Sequence, residues 1–178
     1  MSKFLPEIST ALKTFIEAQQ IFFVATAAAE GRINLSPKGL DTFRVIDSNK
    51  VIWLNLTGSG NETAAHLLKN DRMTIMFCSF EGKPLILRLY GNAKIYHDRD
   101  AKFQEYIHLF PEIAGTRQIV EMHVDSLQTS CGYAVPFMNF KEERQQLNSW
   151  AEKQGEERLQ NYRKEKNSKS IDGFDTGL

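Results

Sequence analysis

The hydrophobic positions of this chain change their spacing after about the first twenty residues. Ile8, Leu12 and Phe15 recur at helical intervals in the first segment. They follow Pro6, which suits the first turn of a helix because its fixed φ matches the helical value. This pattern predicts an amphipathic helix over about residues 6–19, covering one side of the domain that follows.

From about residue 21 onward, short runs of β-branched and aromatic residues alternate with polar turn residues. The polar breakers at Glu30-Gly31 and at residues 81–84 are typical of hairpins, so neighbouring strands are expected to be antiparallel. Consecutive hairpins favour a β-barrel or a sandwich. The runs predict seven strands, over residues 21–28, 32–37, 42–46, 51–56, 72–80, 85–97 and 117–127.

Helical spacing returns in three later segments. Residues 62–69 and about 100–109 predict two short helices, and residues 141–166 predict a long polar helix. Apolar positions are sparse in the long helix, so it is expected at the surface or across a subunit boundary, with Gly155 as a point of division. Residues 167–178 have no periodicity and on their own predict a disordered tail.

The composition is typical of one globular domain, taken as residues 1–178, and argues against several partner classes. The 22 Lys and Arg balance 22 Asp and Glu, so the chain lacks the basic character of nucleic-acid-binding proteins. No apolar run approaches the roughly 20 residues of a membrane helix, and the N-terminus lacks a secretory signal, so a cytoplasmic location is expected. The two cysteines and four scattered histidines predict no metal site.

The most informative segment is residues 53–66, which predicts a strand, a polar loop and a helix in succession. Ser59 stands three residues before Glu62, the spacing of a helix capping box, and the free backbone N–H groups of a helix N-terminus bind anions. The segment therefore predicts a phosphate site. The alternative, that Ser59 and Glu62 only cap the helix and the glycines only turn the chain, stays open. A dinucleotide-binding fold is excluded because its three-glycine spacing is missing.

Two further polar sets lie where strands are predicted. Ser36 and Lys38 belong to the first set, and Arg88 interrupts a nearly continuous apolar strand. A buried guanidinium needs an anionic or carbonyl partner to offset the loss of its hydration. A phosphate or a ring carbonyl of a cofactor would supply one, and an ion pair with a core or interface carboxylate is the alternative.

The order of these motifs carries a resemblance to a known family. The matching stretches are residues 22–27, 31–39, 56–63, 87–91, 128–133 and 170–173. In them the chain resembles the pyridoxamine 5'-phosphate oxidase-like flavoproteins, the FMN-binding split barrels, and especially their short uncharacterised branch. The resemblance implies a mainly β fold with flanking helices (α+β), built on a six-stranded antiparallel split β-barrel. It also implies a homodimer with two FMN molecules at the subunit interface.

The resemblance places the FMN phosphate near the start of the helix that follows Leu56. The true oxidases carry adjacent Arg and Lys in that loop, whereas residues 59–63 of this chain, Ser-Gly-Asn-Glu-Thr, include no cation. Neutral donors and helix amides would replace the cations, and Lys38 or Arg88 is expected to supply positive charge. The cofactor-binding residues that follow from the motifs and the resemblance together are Ser36, Lys38, Asn55, Thr57, Gly58, Ser59, Asn61, Glu62, Thr63 and Arg88.

The function predicted from the resemblance is an FMN-dependent oxidoreductase acting on a small molecule, with no catalytic residue assigned. In such enzymes the cofactor carries the electrons and the protein positions the substrate. The basic residues that would grip pyridoxamine 5'-phosphate are not recognisable in residues 170–178, although the resemblance implies that the C-terminal segment is ordered. The alternatives are a non-catalytic flavin- or haem-binding protein and a deazaflavin-dependent reductase on the same barrel.

Overall fold

Eight strands form one antiparallel sheet in the computed structural model, which describes residues 2–178. The order across the sheet is β3-β2-β6-β7-β8-β5-β4, and β1 pairs with β8. Within the described residues no pairing joins β3 to β4, so the sheet stays open, as expected for a split barrel. The strands are β1 (Lys3–Leu5), β2 (Phe22–Thr26), β3 (Asn34–Lys38), β4 (Phe43–Asp47), β5 (Lys50–Leu56), β6 (Arg72–Cys78), β7 (Ile86–His97) and β8 (Thr116–Ser130).

The mainly antiparallel α+β architecture is thus confirmed, with a strand count of eight rather than six. All seven strands predicted from the sequence are present. The eighth, β1, was missed because three residues are too few to show an alternating pattern. It adds to β8 in the register Phe4 to Gln128.

The helices are shorter than their sequence patterns. They are α1 (Thr10–Glu17), α2 (Glu62–Leu67), α3 (Ala101–Tyr106) with a 3-10 turn over Ile107–Leu109, and α4 (Gln146–Tyr162) followed by a π-helical turn over Arg163–Asn167. Helix α1 begins beyond Pro6 because the side chain of Ser9 caps it, accepting the N–H of Leu12. Gly155 breaks α4 with φ 67°, which confirms the predicted division.

Two apolar clusters cover opposite faces of β5. Val51 and Trp53 face the main core, into which Ile16 of α1 packs. Ile52 and Leu54 face a second cluster that includes residues of α3. Because both faces of β5 are buried, the polar residue at its end, Asn55, lies in a water-poor setting with 2% of its surface exposed.

Residues 167–178 are ordered, so the disordered tail predicted from their pattern alone is wrong and the order implied by the resemblance is confirmed. Lys169 and Asp175 form an antiparallel bridge, and Ser170 and Thr176 are buried. The order comes from contacts with distant parts of the chain, which a local pattern does not contain. Elsewhere, no helix in the described part of the chain is long and apolar enough to cross a membrane.

Candidate functional site

A polar cavity of about 300 Å³ lies between the end of β5, the loop before α2, and the edge strand β3. Eight of the ten predicted cofactor-binding residues line it. The lining consists of Asn34, Ser36, Pro37, Lys38, Asn55, Leu56, Gly58, Ser59, Gly60, Asn61, Glu62, Thr63 and Arg117. The sequence motifs of β3 and of the loop after β5 are therefore brought together, as predicted, by a fold that sets them on opposite walls of one cavity.

Lys38 enters this cavity from β3. Its Nζ donates to Asn55 Oδ1 at 3.2 Å, and Asn55 Nδ2 donates to Gln118 Oε1 at 3.0 Å. Gln118 is fully buried, so this chain of side-chain amides is fixed from the core outward. The carbonyl oxygen of Asn55 is thereby directed at Lys38, which holds the ammonium group in the cavity.

Arg117 supplies a second cation, a buried one, that the sequence motifs did not reveal. It lies at the start of β8 with 6% of its surface exposed. Its Nη1 donates to the backbone carbonyl of Gly60 at 3.1 Å and to Asn167 Oδ1 at 2.6 Å. The sequence signal for Arg117 was a charged residue directly before the buried residues of β8. That signal alone does not place Arg117 at the cavity, because its position follows from the pairing of β8 with β5.

Neither cation has a carboxylate partner. Within residues 2–178, the ion pairs closer than 4.0 Å involve other Lys, Arg and His residues. Burial, and then the positive charge of Arg117, lowers the pKa of Lys38 to about 8. Burial, and then the charge of Arg163, lowers the pKa of Arg117. A guanidinium keeps its proton at neutral pH regardless, so the cavity holds positive charge that no carboxylate neutralises directly.

Several buried polar atoms at the cavity have no hydrogen-bond partner within the described residues. They are both side-chain polar atoms of Asn61 and the Nε of Arg117. Buried polar groups in native proteins are nearly always paired, so unpaired atoms beside a cavity indicate a ligand or water. Two of the three are N–H donors, which matches an anion rich in oxygen acceptors.

The predicted capping box is wrong. Helix α2 begins at Glu62 with Asn61 as its N-cap, and the Asn61 side chain makes no capping hydrogen bond. The Glu62 carboxylate instead accepts the backbone N–H of Ile171 at 3.0 Å. Ser59 lies two residues before the N-cap and is exposed. Because α2 has only six residues, we expect the positive side chains, rather than the helix N-terminus, to be the groups that would attract an anion.

Ser36 and Thr63 belong to a hydrogen-bonded wall of the same cavity. Ser36 Oγ donates to Asn34 Oδ1 at 2.8 Å, and Asn34 Nδ2 donates to Thr63 Oγ1 at 3.3 Å. This connects β3 to α2 across the cavity. The Thr63 hydroxyl accepts in this wall and keeps its hydrogen to donate to a ligand, whereas the Ser36 hydroxyl already donates to Asn34 and can only accept.

The structure does not bring Arg88 into this cavity. It is half-buried rather than buried, and its Nη1 donates to Ser130 Oγ at 3.3 Å. Leu87 and Leu89 beside it are buried in the core, so alternation along β7 turns Arg88 to the other face of the sheet. The expectation of a buried guanidinium was therefore wrong, and a cofactor contact from Arg88 remains a prediction.

A second, larger cavity of about 1350 Å³ adjoins the polar one. The two share Pro37, Lys38, Leu56 and Gly58 as lining residues, so they are continuous. The remaining predicted residue, Thr57, lines only this larger cavity. Apolar side chains dominate its wall, among them Ile21, Phe23, Leu40, Leu54, Phe80, Met138, Phe140 and Leu147.

Together the two cavities suit a molecule with an anionic end and a flat apolar body. A volume above the roughly 300–1,000 Å³ of ordinary ligand sites leaves space for a second small molecule. No histidine or cysteine of residues 2–178 lines either cavity. Nor do three or more His, Cys, Asp or Glu side chains in this part of the chain converge on a possible metal position.

Most of the chain matches the model of a known protein family. A family model described as pyridoxamine 5'-phosphate oxidase matches residues 8–131. The chain belongs to the pyridoxamine 5'-phosphate oxidase family. The match ends just after β8, so helix α4 and residues 167–178 lie outside the part that the pyridoxamine 5'-phosphate oxidase model covers.

One curated protein and several solved structures are similar to this chain. The family protein ustO of Aspergillus flavus is 34% identical over 194 aligned positions, covering 98% of this chain and 77% of its own. HupZ of group A Streptococcus is 24% identical, with a TM-score of 0.53 over 67% of this chain and 91% of its own. An FAD-binding protein of Mesorhizobium loti is 10% identical, with a TM-score of 0.50 over 73% and 99%. The two solved structures show the fold alone.

Proposed function

We propose that this protein is an FMN-binding oxidoreductase that holds the cofactor phosphate in the polar cavity and the ring system in the apolar one. The observation that carries the proposal is a pair of cations, the half-buried Lys38 and the buried Arg117, which line one cavity and form no ion pair with a carboxylate of residues 2–178. Such an arrangement is costly unless an anion completes it. A phosphate supplies two negative charges and several oxygen acceptors at that point.

The other cavity residues fit the same group. Asn61 presents an unpaired amide, and Thr63 presents a hydroxyl group that only accepts within the wall, so neutral donors complement the two cations. Membership of the pyridoxamine 5'-phosphate oxidase family supports a flavin, as does the FAD-binding relative of the same fold. A 300 Å³ polar cavity contacted on one side by residues of the C-terminal segment favours FMN, which ends in a single phosphate, over the longer FAD.

A bound flavin would supply reversible two-electron chemistry, and this chain would supply the binding, orientation and exclusion of water. Lys38 lies where the two cavities meet, so its ammonium group stands between the phosphate position and the ring position. The apolar wall that includes Phe23 and Phe140 favours a small, largely apolar substrate stacked beside the ring.

We propose further that the protein acts as a homodimer, as the resemblance implies. Large apolar side chains are exposed at the edge strand β3, namely Ile33 and Leu35, and in the segment before α4, including Tyr133 and Phe137. Exposed apolar surface of this kind marks protein interfaces. Sedimentation at micromolar concentration is expected to give twice the mass of one chain, and the mass of one chain would contradict the dimer.

The function is tested by equilibrium binding of FMN, FAD and riboflavin to the purified chain, measured through quenching of flavin fluorescence. FMN is expected to bind most tightly. Its affinity should exceed that of riboflavin by about tenfold or more, because riboflavin lacks the phosphate. Bound FMN is then expected to be bleached by a reduced nicotinamide or another donor and to recover in air. Equal affinity for FMN and riboflavin would contradict the phosphate site, and haem absorption without flavin would favour the non-catalytic alternative.

A further inference from the structure

We propose that Asn167 is a positioning residue that holds Arg117 in the phosphate cavity, so that the C-terminal segment is part of the cofactor site. The inference rests on the proposed function. Asn167 is fully buried, and its side-chain amide makes two contacts at once. Its Oδ1 accepts from Arg117 Nη1 at 2.6 Å, and its Nδ2 donates to the Gly58 carbonyl at 3.0 Å. One amide therefore connects the buried cation to the loop beside it.

A neutral amide serves Arg117 better than a carboxylate would. The contact to Asn167 Oδ1 fixes the direction of the guanidinium, while the positive charge remains available to a ligand. An aspartate at the same place would form a close ion pair and neutralise that charge before any anion bound. It would also set a carboxylate oxygen against the Gly58 carbonyl, replacing a hydrogen bond with a repulsion.

The position of Asn167 follows from the π-helical turn over Arg163–Asn167. Arg163, at the start of this turn, donates from Nε to Thr57 Oγ1 at 2.9 Å. Asn167, at its end, reaches Gly58, the next residue of the same loop. The turn thus forms hydrogen bonds to two successive residues of the loop. Both donors, Arg163 and Asn167, lie outside the part of the chain that the family model matches, which ends at residue 131.

The rest of the C-terminal segment keeps this turn in place. Thr176 Oγ1 donates to the backbone carbonyl of Asn167 at 2.6 Å, which folds the chain end back on the turn. The Asp172 carboxylate accepts hydrogen bonds from both the backbone N–H and the guanidinium of Arg32, and the backbone N–H is the main cause of the lowered pKa of the Asp172 carboxyl. That carboxyl is ionised at neutral pH, so the segment stays anchored beside the cavity under ordinary conditions.

The proposal is tested by the ratio of riboflavin to FMN dissociation constants in Asn167→Asp and Asn167→Ala. Asn167→Asp is expected to lower FMN affinity by about tenfold to a hundredfold, since it neutralises a charge that contacts the phosphate, and to change riboflavin affinity by less than about threefold. Asn167→Ala is expected to lower FMN affinity by about tenfold, because Arg117 loses the hydrogen bond that orients its guanidinium but keeps its charge. The matched control is Asn161→Asp, an exposed asparagine of α4, which is expected to change neither constant.

The ratio separates positioning from general damage. A role confined to folding would lower the thermal midpoint and weaken both flavins equally, and such equal weakening in both variants would overturn the proposal. A wild-type ratio in Asn167→Ala and Asn167→Asp would also overturn it. If a buried aspartate prevents folding, Asn167→Ala decides alone, because it introduces no charge. A wild-type protein that does not prefer FMN to riboflavin would instead contradict the proposed function itself.

Discussion

Replacing Arg117 with methionine is expected to weaken FMN binding by about a hundredfold or more. Hydrogen bonds to charged groups contribute about 1.5–3 kcal/mol each, and each 1.4 kcal/mol corresponds to a factor of ten in affinity. Arg117 combines such bonds with a positive charge at a buried position, where screening by water is weak. Riboflavin affinity is expected to change much less, so the loss should appear as a collapse of the preference for FMN.

Two further variants show whether the loss of FMN affinity comes from the charge and geometry of Arg117. Arg117→Lys keeps the charge but removes the planar fork that reaches both Gly60 and Asn167, so an intermediate affinity is expected. Arg158→Met, at an exposed site on α4, is the matched control and is expected to bind FMN like the wild type. Titration of flavin fluorescence measures all three. An Arg117→Met protein that folds and still prefers FMN by the wild-type ratio would place the phosphate elsewhere.

The sheet was predictable because its information is local. Alternation and turn residues located all seven longer strands, and only the three-residue β1 escaped. The same alternation explains the error at Arg88. Its neighbours Leu87 and Leu89 face the core, so Arg88 has to face away from it. The prediction took β7 to be buried on both faces, although the alternation of its own residues indicates that Arg88 lies on the face away from the core.

The site was predictable only in part because half of its chemistry comes from long-range pairing. Residues of β3 and of the loop after β5 were identified from their motifs. Arg117 reaches the cavity because β8 pairs with β5, in a register that sets Asn55 against Gln118. The predicted capping box was wrong for a similar reason. The backbone N–H of Ile171, which lies 109 residues further along the chain, donates to the Glu62 carboxylate instead. No local pattern specifies such a partner.

These long-range contacts give the C-terminal segment its order and the cavity its charge. Asn167 connects Arg117 to the loop, and the segment that carries Asn167 lies outside the family match. Because neither cation of the cavity forms an ion pair within residues 2–178, the cofactor-free protein is expected to carry a stability cost that a bound anion would offset.

Replacing Lys38 with methionine is expected to stabilise the cofactor-free protein by about 1–3 kcal/mol while weakening FMN binding. In the folded protein the pKa of Lys38 is about 8, below its ordinary value of 10.5. Burial therefore disfavours the charged form, and the wild-type protein should gain stability as pH rises from about 8 toward 10.5, where only the unfolded state keeps the proton. Methionine fills similar space without the charge, so this pH-dependent gain should disappear.

The same substitution should remove a pH dependence from FMN binding. A bound phosphate stabilises the Lys38 ammonium and raises its pKa, so binding above pH 8 requires uptake of a proton and wild-type affinity should fall as pH rises. In Lys38→Met the affinity should be lower but nearly flat over that range, while the exposed control Lys94→Met should follow the wild type. Thermal unfolding without cofactor and fluorescence titration with it measure the two effects. If Lys38→Met neither raised Tm nor flattened the binding curve, the ammonium group would not face the phosphate, and Arg117 alone would account for the cavity's charge.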